Sequence, residues 1–189
     1  LPSPVATLLL VAALACPGVV GIIPSVLATV LIEEFQVSKG QIGLLLTMFG
    51  LFGSGSSLFC GRLTDSMGGE RLLPYIFGLV SLALVIFALS PSYVGLLVAV
   101  GLGGSAAAAA NPTTNQLVAK LFPPGSRGPI LGIKQAGGLV GVSLTGLLLP
   151  VLALTVGWRA TVGGAALISL GFLSLARHGS KSPIFPKDK

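Results

Sequence analysis

Six long apolar runs separated by short polar breaks constrain this chain more than any other feature. They cover about Val5–Ile32, Ile42–Cys60, Leu72–Leu89, Tyr93–Leu121, Pro129–Leu154 and Trp158–Ala176. A helix that crosses a bilayer needs about 20 mostly apolar residues. Lipid offers no partner for backbone N–H and C=O groups, so such a run spans only if it is helical or part of a closed barrel. The breaks are Glu33–Gln41, Gly61–Arg71, Ser90–Ser92, Phe122–Gly128, Thr155–Gly157 and Arg177–Lys189. The expected fold class is an all-α membrane protein with six transmembrane helices and a lipid bilayer as its partner.

Charge content agrees. Only 8% of the residues are charged, against about 25% in a soluble domain, too few to give a wet surface all round. Glycine is in excess, with 27 residues against roughly 13 expected at about 7% usage. Inside apolar runs such an excess points to closely approaching helices, because lipid tails supply no hydrophobic drive and packing must. Cys16 and Cys60 read as small core residues. One His and no CxxC motif give no metal spacing, and no cofactor is expected. The net charge of +6 is not drawn into a basic stripe with interleaved aromatics, so nucleic acid is not an expected partner. The first run lacks a basic leader and continues past Cys16 to Ile32, which reads as a span and not a signal segment.

Orientation follows from the basic residues, which accumulate in cytoplasmic loops. Arg62, Arg71, Lys120, Arg127, Arg177, Lys181, Lys187 and Lys189 fall on one side; Lys39 and Arg159 fall on the other. Both termini are therefore expected in the cytoplasm, with Glu33 and Glu34 outside. Residues 1–176 form one six-helix bundle, and 177–189 a cytoplasmic tail or the start of an inter-domain linker. Trp158 and Arg159 read as anchors at the membrane interface. Spans one and four are long, with internal proline or polar positions, while three and six are plainer. Two triplets of this kind imply a 3+3 inverted repeat. Gly53, Ser57 and Gly61, and also Gly137, Gly141 and Thr145, make small-xxx-small rows for helix crossings. Pro17 with Gly18 and Gly21, and Pro112, are expected to bend spans one and four.

Ionisable groups inside a span are costly and are functional candidates by default. Lys134 lies within span five, seven residues past Arg127 at its cytoplasmic edge, or about 10 Å at 1.5 Å per residue. Asn111, Thr114 and Asn115 share one face of span four at a comparable depth. Lys134, the two asparagines and Gln135 make a set suited to a small anion or carboxylate: the ammonium supplies charge and the amides direction. Two plainer readings stand beside it. Lys134 could snorkel to the interface or pair with a carboxylate elsewhere, and the asparagines could hold helices together. No carboxylate lies within a span; Glu33, Glu34, Asp65, Glu70 and Asp188 are at edges, in breaks or in the tail.

The break Gly61-Arg62-Leu63-Thr64-Asp65-Ser66-Met67-Gly68-Gly69-Glu70-Arg71 resembles the signature loop between helices two and three of the major facilitator superfamily. Its pattern is G-x-L-x-D, a basic position, then x-G and further basic residues. Ser66 stands where a basic residue is usual, and Glu70 interrupts the basic pair. The resemblance implies a gating loop in which Gly61, Asp65, Gly68 and Arg71 stabilise one state of a transporter. Glycines permit a tight turn, Asp65 can cap a helix N-terminus and Arg71 can anchor at the headgroups. Asn111-Pro112-Thr113-Thr114-Asn115 through Gly132-Ile133-Lys134-Gln135-Ala136-Gly137 is similar to helices four and five of the cyanate and nitroimidazole permease branch.

The resemblance covers essentially the whole chain, but only half of a twelve-helix major facilitator fold. It implies alternating-access transport of a small-molecule solute across a bacterial inner membrane, together with a missing C-terminal six-helix half. Leu97 occupies the place of the arginine that proton-coupled members often carry in span four, and the Gly-Pro pair of antiporters is missing from span five. Two alternatives remain open: a half-size transporter that assembles with a second copy, and a non-transport structural membrane subunit. An enzyme is not expected, since no span holds a His or Asp cluster or a Ser–His pair.

Overall fold

A computed structural model describes residues 4–179, and every regular element within them is a helix. The elements are α1 (Pro4–Val26), α2 (Ala28–Phe35), α3 (Lys39–Met67), α4 (Gly69–Leu89), α5 (Tyr93–Leu121), α6 (Arg127–Val156) and α7 (Trp158–Gly179), with a 3₁₀ turn at Pro124–Ser126 before α6. Six of them, α1 and α3 to α7, are long and apolar enough to cross a membrane. Lys181, Lys187, Asp188 and Lys189, expected in the tail, lie outside the described residues.

Span one departs from the sequence expectation. Val5–Ile32 is not a single helix, because α1 stops at Val26 and the short α2 begins at Ala28. Pro24 carries no N–H, and it sits two residues before that stop. The helices run on through Pro17 and Pro112. The break read from Gly61 to Arg71 also differs. Helix α3 continues to Met67, α4 starts at Gly69, and Gly68 alone joins them.

The two triplets, α1–α3–α4 and α5–α6–α7, pack in corresponding ways: α3 lies along α5, and α6 lies along α1. Glycines make both crossings close. A Cβ on Gly53 would sit 3.3 Å from the Gly104 carbonyl oxygen, and one on Gly104 would run into the Phe49 carbonyl. In the partner crossing, a Cβ on Gly141 would meet Ala15 at 3.0 Å, and one on Gly138 would meet Leu14 at 3.0 Å. The row in span five is thus used as expected. In span two only Gly53 packs within the chain; Ser57 is exposed, and a Cβ on Gly61 would meet open space.

Helices α4 and α5 are buried along much of their length, whereas α3 and α6 expose most of theirs. At the end of the bundle opposite the basic one, Trp158 is buried at 6% exposure. Its indole N–H donates to Glu34 Oε2, and its ring meets Phe35 and Phe87 edge-on. Arg159 donates to Glu34 Oε1 at 2.7 Å and to the Ala88 carbonyl at 2.8 Å. These two residues tie α7 to α2 and α4. Glu34 gains strong partners 124 and 125 positions away, a link no local pattern announces.

Candidate functional site: a buried lysine between two helices

Lys134 is 2% exposed, although α6 around it presents most of its side chains outward. Its Nζ donates to Thr114 Oγ1 at 2.9 Å and to Asn115 Oδ1 at 2.6 Å. Thr114 lies seven residues before the end of α5 and Lys134 seven residues after the start of α6, so both stand about 10 Å inside the basic end. Two neutral oxygens leave the third ammonium donor open to a further acceptor. Among the described residues the carboxylates Glu33, Glu34, Asp65 and Glu70 lie on α2 or beside the α3–α4 turn. Helix interiors therefore supply no negative charge to this cation, and a buried charge needs a partner to offset its desolvation.

The sequence-derived set is brought together in part. Asn115 is exposed on one side and holds Lys134 on the other. Asn111 is exposed one turn earlier on the same face, and its carbonyl accepts from the Thr114 hydroxyl at 3.2 Å. Gln135 is exposed; as the neighbour of Lys134 it points about 100° away around the helix. Thr114, fully buried, is the partner that helical spacing placed on the right face without singling it out.

At the basic end, the four residues matching the signature loop take different roles. Gly68 has φ +81° and donates to the Thr64 carbonyl at 2.9 Å, a conformation that favours glycine. Asp65 is exposed in the last turn of α3, so it does not cap a helix N-terminus. Arg71 is exposed, and Gly61 borders open space. Gly69, which the sequence reading passed over, is fixed by proximity: a Cβ there would fall 2.9 Å from the Thr113 carbonyl oxygen.

Helix α5 holds this turn from one side. Gln116 accepts from the Gly69 N–H and donates to the Thr64 carbonyl at 3.3 Å, while Lys120 pairs with Glu70 at 3.0 Å. A polar cavity of about 740 Å³ opens here, lined by Asp65, Glu70, Arg71, Gln116 and Lys120 among others. Consecutive residues of one helix thus face two places: Thr114 and Asn115 the buried lysine, Thr113 and Gln116 the α3–α4 turn.

The sequence profile of the Major Facilitator Superfamily matches residues 8–184. The chain belongs to that superfamily. Relatives within it include the hexuronate transporter of Bacillus subtilis, 25% identical over 138 residues, which cover 72% of this chain and 32% of that protein. The probable anion transporter 3 of Arabidopsis thaliana, chloroplastic, is 29% identical over 88% of this chain and 33% of its own length. The probable L-galactonate transporter of Escherichia coli K12 is 28% identical over 77% and 33%. The fold matches a bacterial homologue of the human lysosomal transporter Spinster, inward-facing and unoccupied, with TM-score 0.84 and 19% identity. That match covers 99% of this chain and 45% of the other. The occupied form gives TM-score 0.72. The six helices are one half of a major facilitator fold, and the chain spans about a third of the length of these curated relatives.

Proposed function

We propose that this chain is the N-terminal half of a transporter that moves a small organic anion across a membrane by alternating access. The observation that carries the reading is Lys134: a cation buried at 2% exposure, held by two neutral oxygens, in helices whose interiors bear no carboxylate. An anionic solute arriving along the Asn111 and Asn115 face supplies the missing charge, and the amides orient it. The relatives' names, hexuronate, anion and L-galactonate transporter, favour a solute of that class. The excess of basic residues at the α3–α4 and α5–α6 ends favours a cytoplasmic location for that end, and a bacterial inner membrane is the location that fits this reading.

The outward faces of α3 and α6 are the proposed seat of a second six-helix half. On α3, Gly43, Gly50 and Gly61 share one stripe, and a Cβ at any of them would meet open space; small residues there suit close approach of another helix. A second copy of the chain is the alternative occupant, and the genomic sequence downstream of Lys189 decides between them. Function is tested by reconstituting the complete protein in liposomes and measuring uptake of glucuronate, galactonate and neutral glucose. The expected result is uptake of at least one acid and none of the neutral sugar. Uptake of glucose alone would refute the anion reading.

A further inference from the structure

Lys134 and its partner Asn115 differ sharply in access. The lysine is 2% exposed, whereas Asn115, across the α5–α6 pair, is exposed. One bond of 2.6 Å joins them, from Lys134 Nζ to Asn115 Oδ1. An ammonium has three donors and no acceptor, so the amide meets it only through its oxygen. That fixes the other end of the group: the amide nitrogen points away from Lys134, and among the described residues no oxygen accepts from it. Thr114 holds the lysine from within. Its hydroxyl donates to the Ala110 carbonyl and accepts from Nζ, and its side chain is fully buried. As consecutive residues, Thr114 and Asn115 point about 100° apart around α5. One seals the ammonium inside the bundle, and the other stands between it and the outside.

We infer that Asn115 is the residue that touches the anion, and that Lys134 is a positioning residue behind it. This rests on the anion-transport reading above. The ammonium locks the amide with its two N–H donors outward and polarises it, since linked hydrogen bonds strengthen one another. The lysine charge thus reaches the solute through Asn115 and not by contact. A face that offers only donors takes a group that is all acceptor. A carboxylate fits it, and an ammonium does not. Selection for an anion is then set by which way one amide is turned, and Lys134 sets that direction.

Uptake of galactonate and glucuronate by the complete protein in liposomes tests this, with a melting temperature recorded for each variant to separate lost folding from lost recognition. Asn115→Asp keeps an oxygen for Lys134 and is expected to melt no lower than wild type. It turns an acceptor outward, so KM for the transported acid is expected to rise by at least about tenfold. Asn115→Ala uncovers the ammonium and removes the amide, and the same rise is expected. Lys134→Arg still donates to Oδ1 and is expected to keep KM within about threefold of wild type. Wild-type KM in Asn115→Asp would overturn the inference. So would uptake by Asn115→Ala at or above the wild-type level, which would show that the solute meets Lys134 directly. In either case the anion reading survives, because wild type still carries the acid. Uptake of neither acid by wild type would sink both together.

Discussion

The Lys134 ammonium and the Thr114 hydroxyl meet at 2.9 Å, joining the start of α6 to the end of α5 at one depth. That hydroxyl also donates to the Ala110 carbonyl at 2.6 Å, so its lone pairs are turned toward the lysine. Replacing Thr114 by Val keeps shape but removes the acceptor. The expected loss is about 1–3 kcal/mol, the cost of depriving a buried charged donor of a partner. A fall in the melting temperature of the reconstituted protein is the readout, and Thr114→Ser is expected to restore most of it. Equal melting of Thr114→Val and wild type would show that the bond contributes nothing.

Gly104 on α5 sits where a Cβ would enter the Phe49 carbonyl, whereas Gly50 on α3 faces open space. Gly104→Ala is therefore expected to push α3 from α5 and to destabilise by about 1–3 kcal/mol. In this six-helix chain Gly50→Ala is expected to be neutral or slightly stabilising, since Ala favours the helix. Chemical denaturation of the six-helix chain in mild detergent separates them; similar effects of the two substitutions would contradict the packing described.

Glu34 gives the acidic end a pH dependence. Burial raises its carboxyl group's pKa, but hydrogen bonds from Arg159 and Trp158 and the Arg159 charge outweigh that, and the net value lies below the usual 4.5. A lowered folded value stabilises at every pH above the ordinary one, and the contribution is lost as pH falls through the folded value. Trp158 is the chain's single tryptophan, so its fluorescence reports the contact directly. The emission is expected to hold steady above about pH 4.5 and to change below it. Glu34→Gln is expected to abolish that step. A step of equal size in Glu34→Gln would assign the change to another group.

Much of this arrangement is legible in the sequence because lipid leaves the backbone few options. Span four has the same ends, Tyr93 and Leu121, in pattern and in structure, since serines precede it and prolines follow. The apolar run of span one extends past the end of α1 because Leu27 is as apolar as its neighbours, and hydropathy cannot see a helix interruption between apolar residues. The polar break is longer than the α3–α4 connection for the opposite reason: Arg62, Thr64 and Asp65 are polar, yet they continue the helix beyond the apolar run. Lys134 stood out as a charge within a span. Its choice of Thr114 over Asn111 depends on how α5 is rotated, and at Gly101, Gly103 and Gly104 of that helix Phe52, Val20 and Phe49 leave little room for a Cβ. The Glu34 cluster needed contacts across the whole chain.

Uptake of radiolabelled organic anions by the complete protein carrying Lys134→Ala tests the central claim most directly. With glucuronate and galactonate as the panel, wild type is expected to accumulate at least one, Lys134→Ala to lose that uptake by at least about tenfold, and Lys134→Arg to retain part of it. Undiminished uptake of that anion by Lys134→Ala would contradict the account, because the charge it places at the centre of recognition would then be dispensable.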